Sequence, residues 1–250
     1  MPTTTRLRGM DARTPRDVDT LQHNDRTGVV ARLLSATFLV AAATVLALVA
    51  WKMTAALTLP LPIVVAIVLS GWLLADFLSG LLHWAADTWG RVDMPVVGRR
   101  LLHPFRVHHV NPRDILDRGF LDLNGDVAAV CLPFLALALW LPLDAHASQA
   151  LALLLATTAG LALPTNQVHQ WAHMPRPPRL VRALQSLHVV LSPRGHALHH
   201  ANPAGGHYCI TTGWCNRVLT GAGFYAAMER AVTRVTGWQP RSDPAMSRYS

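Results

Sequence analysis

Thirteen histidines occur in this 250-residue chain, and most of them fall into four groups with the spacing of metal ligands. The groups are His83-x3-Asp87, His108-His109 with His103 shortly before, His169-x3-His173, and His196-x2-His199-His200. Residues three and four apart share a helix face. His169 and His173 are therefore expected to point the same way, as are His196, His199 and His200, with His83 and Asp87 paired likewise. His108 and His109 are adjacent and diverge on a helix, so only a centre embedded between elements uses both. Neutral imidazole suits iron, zinc, copper and nickel, and a structural zinc site needs only four ligands. Eight histidines plus Asp87 are enough for two metals, and no thiolate accompanies the groups, which leaves zinc or iron. Iron does the oxygen chemistry that an apolar substrate requires, because removing hydrogen from an unactivated alkyl chain is beyond ordinary side-chain acids and bases.

Outside the groups the simpler readings hold. His23 and His146 stand alone in polar segments, and a lone interfacial histidine is more often hydrogen-bonded than a ligand. His188 lies on an otherwise apolar stretch and fits a supporting position. Trp72, Trp84, Trp89 and Trp171 suit an interfacial belt. Asp76 lies on the stripe of His83, about 10 Å deeper in the same span. An intramembrane carboxylate demands a partner or a role.

The elements that must position these residues are membrane spans. With 51% hydrophobic and 14% charged residues the chain is far more apolar than a soluble domain. Four segments approach the roughly 20 apolar residues that cross a bilayer core: Val29–Trp51, Pro60–Ala86, the shorter Val127–Leu143 with Pro133 inside it, and Ser148–Pro164, whose helix continues through His173. The fold class is thus all-α, a polytopic membrane protein of about four transmembrane helices with a cytoplasmic His-rich helical cap. Residues 1–28 are polar and Arg-rich with no signal-peptide core, and read as a disordered cytoplasmic tail before one domain, 29–250.

Charge orients the spans. Of 22 Lys and Arg residues, five precede span one, six lie in the loop 87–126, and nine follow residue 173. The turn after span one holds only Lys52, and the turn at 141–148 none. The positive-inside rule puts both termini and the middle loop in the cytoplasm, which brings all four His groups to one face of the membrane. The net charge of +8 and pI near 10.6 fit anionic headgroups. The basic residues are not interleaved with aromatics on one surface, so nucleic acid is not an expected partner. Cys131, Cys209 and Cys215 form no C-x-x-C pair and no even framework, so no disulfide scaffold is implied. After span four, Met174-Pro-Arg-Pro-Pro178 breaks the helix, Leu180–Leu191 reads as an amphipathic one, Ser192-Pro193 as an N-cap with Pro at the first helical position, and Phe224–Trp238 as a short helix near the interface.

Five stretches carry a family likeness: Asp76-FLSGLLHWAADTWG90, Pro104-FRVHHVNP112, Asn124-Gly-Asp126, Asn166-QVHQWAHM174 and His196-ALHHANPAGGHYCITTGW214. In this order they resemble the plasmanylethanolamine desaturase family of membrane lipid desaturases, which also holds the plastid enzyme acting on phosphatidylglycerol palmitate. The likeness covers roughly 70–240. It implies a four-span enzyme with two Fe ions at His83, Asp87, His108, His109, His169, His173, His196, His199 and His200. It also implies O2 as co-substrate, a membrane phospholipid substrate, and an external electron donor of ferredoxin or cytochrome b5 type. Asp76, Asn124 and Asp126 belong to the same pattern and are carried over as catalytic candidates. The eponymous reaction turns the 1-O-alkyl chain of an ether phospholipid into a vinyl ether, giving a plasmalogen. Arg106, Arg113 and Arg194 are candidates for the headgroup phosphate.

Two positions depart from the pattern. His103 stands where relatives carry Arg, and Ala204 follows the Pro of HHxxP where plasmalogen-forming members often carry His, with His207 three residues on. Ala204 bears on which lipid is used more than on the chemistry. An acyl-lipid desaturase or hydroxylase acting near the headgroup uses the same site. A zinc-dependent membrane hydrolase needs a Glu base beside its ligands, and no His group holds one. A metal transporter places its ligands near the bilayer midplane rather than at the ends of spans. The Ala- and Arg-rich, Lys-poor composition suggests a bacterial plasma membrane.

Overall fold

The computed structural model describes residues 28–241, so the expected tail lies outside the described residues up to Gly28. All regular structure among them is helical. The chain opens with α1 (Val29–Ala56) and α2 (Leu61–Thr88). A π-helical turn, Gly98–Leu102, leads into α3 (His103–Val110), followed by α4 (Phe120–Trp140), α5 (His146–Ala162) and α6 (Thr165–His173). The remainder is α7 (Arg179–Ser186), α8 (Pro193–Ala201), α9 (Trp214–Gly221) and α10 (Phe224–Thr236).

Four helical spans are long and apolar enough to cross a membrane: α1, α2, α4, and α5 with α6 taken together as His146–His173. Their outward faces carry Leu33, Val40, Leu69, Leu82, Val130 and Phe134 exposed, the surface that lipid rather than water requires. Inward faces are built from small residues. Ala42, Ala128, Cys131 and Ala159 pack with Leu135, and Ala138, Ala152 and Ala156 pack with Val49 and Met53. α1 lies along α4, and α2 along α5. A Cβ on Gly125 would come within 2.3 Å of Ser35, and one on Gly71 within 2.9 Å of Thr157. Such approach maximises dispersion where no hydrophobic effect acts between helices.

The third span differs from expectation. It starts at Phe120, about two turns before Val127, and ends at Trp140. Gly119 caps it, Asp122 in the first turn complements the helix dipole, and Pro133 sits inside without ending it. The polar Asn124 and Asp126 that look like loop in the sequence belong to these early turns. At the far end Lys52 Nζ donates to the carbonyls of Leu139 and Leu141 at 2.8 and 2.6 Å, closing the C-terminus of α4. The helix expected over Leu180–Leu191 is also shorter, stopping at Ser186. His188 takes a left-handed conformation, and Leu191 N–H then bonds the Thr211 carbonyl, so the chain turns away to meet the 208–213 segment. Ser192 caps α8 as anticipated, its Oγ accepting from Gly195 N–H at 3.1 Å.

Candidate metal centre

Four elements deliver the candidate ligands. α2 brings His83 and Asp87 at i and i+4, α6 brings His169 and His173 at the same spacing, and α3 and α8 carry the rest. They assemble two groups, not one. His108, His169, His173, His196 and His200 form the first, and His83, Asp87, His109 and His199 the second. Within each group one ligand atom per residue lies within 4.8 Å of all the others. The two share a wall, with ring centroids 5.9 Å apart for His83–His169 and 5.3 Å for His109–His200.

The adjacent His108 and His109 diverge as expected, and each serves a different group. His199 departs from the expectation that it points with His196 and His200. At i+3 from His196 it turns about 60° away from it, whereas His200 at i+4 stays within about 40° on the other side, and that difference sends it to Asp87.

The geometry inside each group suits a cation. Nε2 atoms meet at 2.8 Å for His169–His196, 2.9 Å for His196–His200, 3.0 Å for His108–His200 and 3.4 Å for His109–His199. An ion about 2.1 Å from each nitrogen would hold its neighbours about 3.0–3.4 Å apart. Asp87 Oδ2 lies 2.9 Å from His109 Nε2, 3.2 Å from His83 Nε2 and 3.7 Å from His199 Nε2. His83 Nε2, Asp87 Oδ1 and His173 Nε2 are buried with no hydrogen-bond partner, an arrangement that costs free energy unless an ion takes those lone pairs. His83 Nδ1 donates to the Tyr208 carbonyl at 3.0 Å and His199 Nδ1 to the Gly206 carbonyl at 2.9 Å. A carbonyl only accepts, so both rings carry their proton on Nδ1 and leave the Nε2 lone pair, beside Asp87, open to a cation that the carboxylate would share. Burial pushes His108, His196 and His199 well below the usual histidine value and His200 down to about 3, with neighbouring imidazoles adding to the effect. These rings are neutral at pH 7 and ready to ligate.

The three other pattern residues lie outside both groups. Asp76 is fully buried, its Oδ1 accepting from Thr212 and Gly213 N–H at 2.7 and 2.9 Å and its Oδ2 from Cys215 N–H at 2.9 Å. It therefore pins the loop before α9 to α2. Asn124 is buried, donating to the Phe120 carbonyl, with Oδ1 lacking a hydrogen-bond partner. Asp126 pairs with Arg100, Nε to Oδ1 3.0 Å. Of the phosphate candidates, Arg106 donates to the carbonyls of Trp89 and Gly90, both at 2.8 Å, capping the end of α2, while Arg113 and Arg194 are exposed. His103, His188 and His207 join neither group, and Ala204 is exposed in the 3-10 turn Pro203–Gly205.

Sequence reasoning missed the parts that act through backbone. Arg241 donates from Nη1 to the Asp87 carbonyl and from its amide to the Thr88 carbonyl, both at 2.9 Å, so it braces the helix end that holds a candidate ligand. Ser79 Oγ accepts from Ile210 N–H at 3.0 Å, and Asn216 bonds both the amide and the carbonyl of Cys209 at 2.8 Å. Gly80 admits that loop, since a Cβ there would lie 2.4 Å from Cys209 Sγ. The one signal in the sequence is a small residue between Asp76 and His83 on a single helix stripe.

Comparison with known proteins gives a consistent result. The lipid desaturase domain matches residues 72–243. The plasmanylethanolamine desaturase of Myxococcus xanthus is 43% identical over 176 residues, covering 70% of this chain and 63% of its own length. The plasmanylethanolamine desaturase 1 of Mus musculus is 40% identical over 192 residues, covering 73% of this chain and 69% of its own length. The chloroplastic fatty acid desaturase 4 of Arabidopsis thaliana is 36% identical over 176 residues, covering 69% of this chain and 53% of its own length. The aligned stretch thus spans less than two thirds of the Myxococcus protein. No solved structure matches the chain significantly.

Proposed function

The chain belongs to the lipid desaturase family, and from that premise we propose that it is an O2-dependent di-iron desaturase that converts the 1-O-alkyl chain of an ether phospholipid to a vinyl ether. The observation that carries this reading is the pair of abutting ligand groups, nine residues in all, rich in neutral imidazole and free of thiolate. That donor set suits iron. Two iron ions, with O2 and two externally supplied electrons, would supply the oxidising power to remove two hydrogens from neighbouring carbons, leaving an alkene and two waters once two protons are taken up. His108, His169, His173, His196 and His200 are assigned to one ion and His83, Asp87, His109 and His199 to the other.

The chain's own residues do the remainder. Tyr208 and Gly206 carbonyls hold two rings in one tautomer, and burial of His83, Asp87 and His199 keeps bulk water from the second group. Asp76 is assigned a positioning role through the loop that carries Tyr208, and Asn124 and Asp126 a role at the head of α4. The electron donor is proposed to be a ferredoxin or cytochrome b5 type carrier. Both termini and the ligand groups are proposed to lie on the cytoplasmic side, from the distribution of arginine. The domain is proposed to begin at Val29, because α1, outside the matched 72–243, packs along α4.

A second reading, an acyl-lipid desaturase acting near the headgroup, is favoured by Ala204 and by the likeness to a fatty acid desaturase. Lipid mass spectrometry separates them, on cells that make alkyl-ether phospholipids but no plasmalogens. Wild-type chain is expected to yield acid-labile vinyl ethers, and His169→Ala none. A new double bond in an acyl chain instead supports the second reading. Protein that carries no iron refutes both.

A further inference from the structure

α7 is short and lies just beyond the fourth span, yet its exposed surface is divided into two chemically distinct faces. At about 100° per residue, Val181 and Gln185 share the buried side. Leu180 and Leu187, exposed at 71% and 70%, lie on a second side with Leu184 at its edge. Arg179, Arg182 and Ser186 occupy a third side, all exposed, and Arg176 precedes them in the connector. Leucines this open cost free energy in water, and nothing else among the described residues covers them.

We propose that α7 is an interfacial docking element for anionic phospholipid, with Leu180, Leu184 and Leu187 in the acyl boundary and Arg176, Arg179 and Arg182 at the phosphates. Three observations converge. First, position: the connector from His173 is five residues, three of them proline, and lets Arg179 lie no more than about 19 Å from His173 as an extended polyproline segment. Gln185 Nε2 also donates to the Trp171 carbonyl at 3.3 Å, which pins α7 beside the last turns of α6, a part of the fourth span. Second, amphipathicity: one helix presenting leucines on one side and arginines on the next matches an interface, where apolar tails and phosphates are layered. Third, charge: a second copy would bring like-charged arginines together, and an acidic protein would meet the arginines while leaving the leucines uncovered.

The consequence reaches the candidate centre. The same Gln185–Trp171 bond couples α7 to the helix that carries His169 and His173, so the bilayer surface helps hold that ligand pair. The proposal rests on the four spans crossing a membrane and not on the reaction, so its test needs no turnover.

The wild-type protein is reconstituted in phosphatidylcholine vesicles with phosphatidylglycerol and irradiated with a carbene-forming label dissolved in the bilayer. Peptide mapping is expected to find Leu180, Leu184 and Leu187 labelled to the level of Leu33 and Val40 on α1. Unlabelled α7 beside labelled α1 overturns the proposal. A Leu187→benzoylphenylalanine chain is then cross-linked in the same vesicles. It is expected to capture phosphatidylglycerol over phosphatidylcholine, and the preference to fall about fivefold for each of Arg179→Gln and Arg182→Gln. Capture of protein in place of lipid, or a preference unchanged by the arginines, also overturns it. Loss of the desaturase reading would show in iron and lipid analysis and leave these readouts as they are.

Discussion

Neighbouring histidines on one helix turn point about 100° apart, which prevents both from reaching one ion comfortably and lets them reach two. His108 and His109 use that divergence, and so do His199 and His200, giving each group a candidate ligand from both pairs. Single substitutions should therefore be separable. His83→Ala is expected to lower the metal content from about two ions per chain to about one, as is His173→Ala, and the double variant to abolish binding. Elemental analysis of purified protein checks this, and equal loss of both ions from either variant would refute two independent groups. Acid acts on the same rings. Their folded pKa values lie below the unfolded value of about 6.5, so the unfolded chain binds more protons as pH falls below it. The stability held above that value is lost progressively as pH falls toward about 3, where His200 titrates. Metal-free protein in detergent should unfold at a lower temperature at pH 5 than at pH 7.5. A melting temperature independent of pH would argue against these buried neutral rings.

A helix serves here as a ruler. On α2 the residues Asp76, Ser79, Gly80, His83 and Asp87 lie along one stripe, and they hold in succession the loop before α9, the loop's approach, and the second ligand group. Gly80→Ala places a methyl 2.4 Å from Cys209 Sγ and 2.6 Å from Tyr225 Oη, which must push the loop off the helix. That loop carries the Tyr208 carbonyl that orients His83. Gly71→Ala, about two and a half turns away and facing Thr157 at 2.9 Å, strains only the α2–α5 contact. Each overpacking is expected to cost about 1–3 kcal/mol. Gly80→Ala alone should deplete metal in the Asp87 group, read by elemental analysis beside thermal unfolding. Equal metal loss from Gly71→Ala would assign the effect to the bundle rather than to the stripe.

For the molecule as a whole, the membrane acts as a boundary condition. Apolar faces on α1, α2 and α4 remain exposed, and every candidate ligand lies at one end of the bundle or in the cap joined to it. The arginine distribution predicts which end is cytoplasmic. A reporter active only in the cytoplasm, fused after Ser250, should be active, and one inserted at Thr58 between α1 and α2 silent. The reverse pattern would place the ligand groups outside.

What the amino-acid sequence determined by itself was local and periodic. Hydropathy runs long enough to span, an i,i+4 repeat of histidine, and a Ser-Pro cap are properties of single segments, and each appears in the structure close to where it was expected. The start of α4 was hidden because Asn124 and Asp126 look like loop until Arg100 and the bundle supply their surroundings. The division of nine candidate ligands into two groups, the orientation of His83 and His199 by the Tyr208 and Gly206 carbonyls, and the bracing of Asp87 by Arg241 came only with the tertiary structure. These depend on backbone groups and side-chain directions brought together from segments up to 154 residues apart. Every residue type has a carbonyl and all but proline an amide N–H, so no spacing of letters marks the ones that matter.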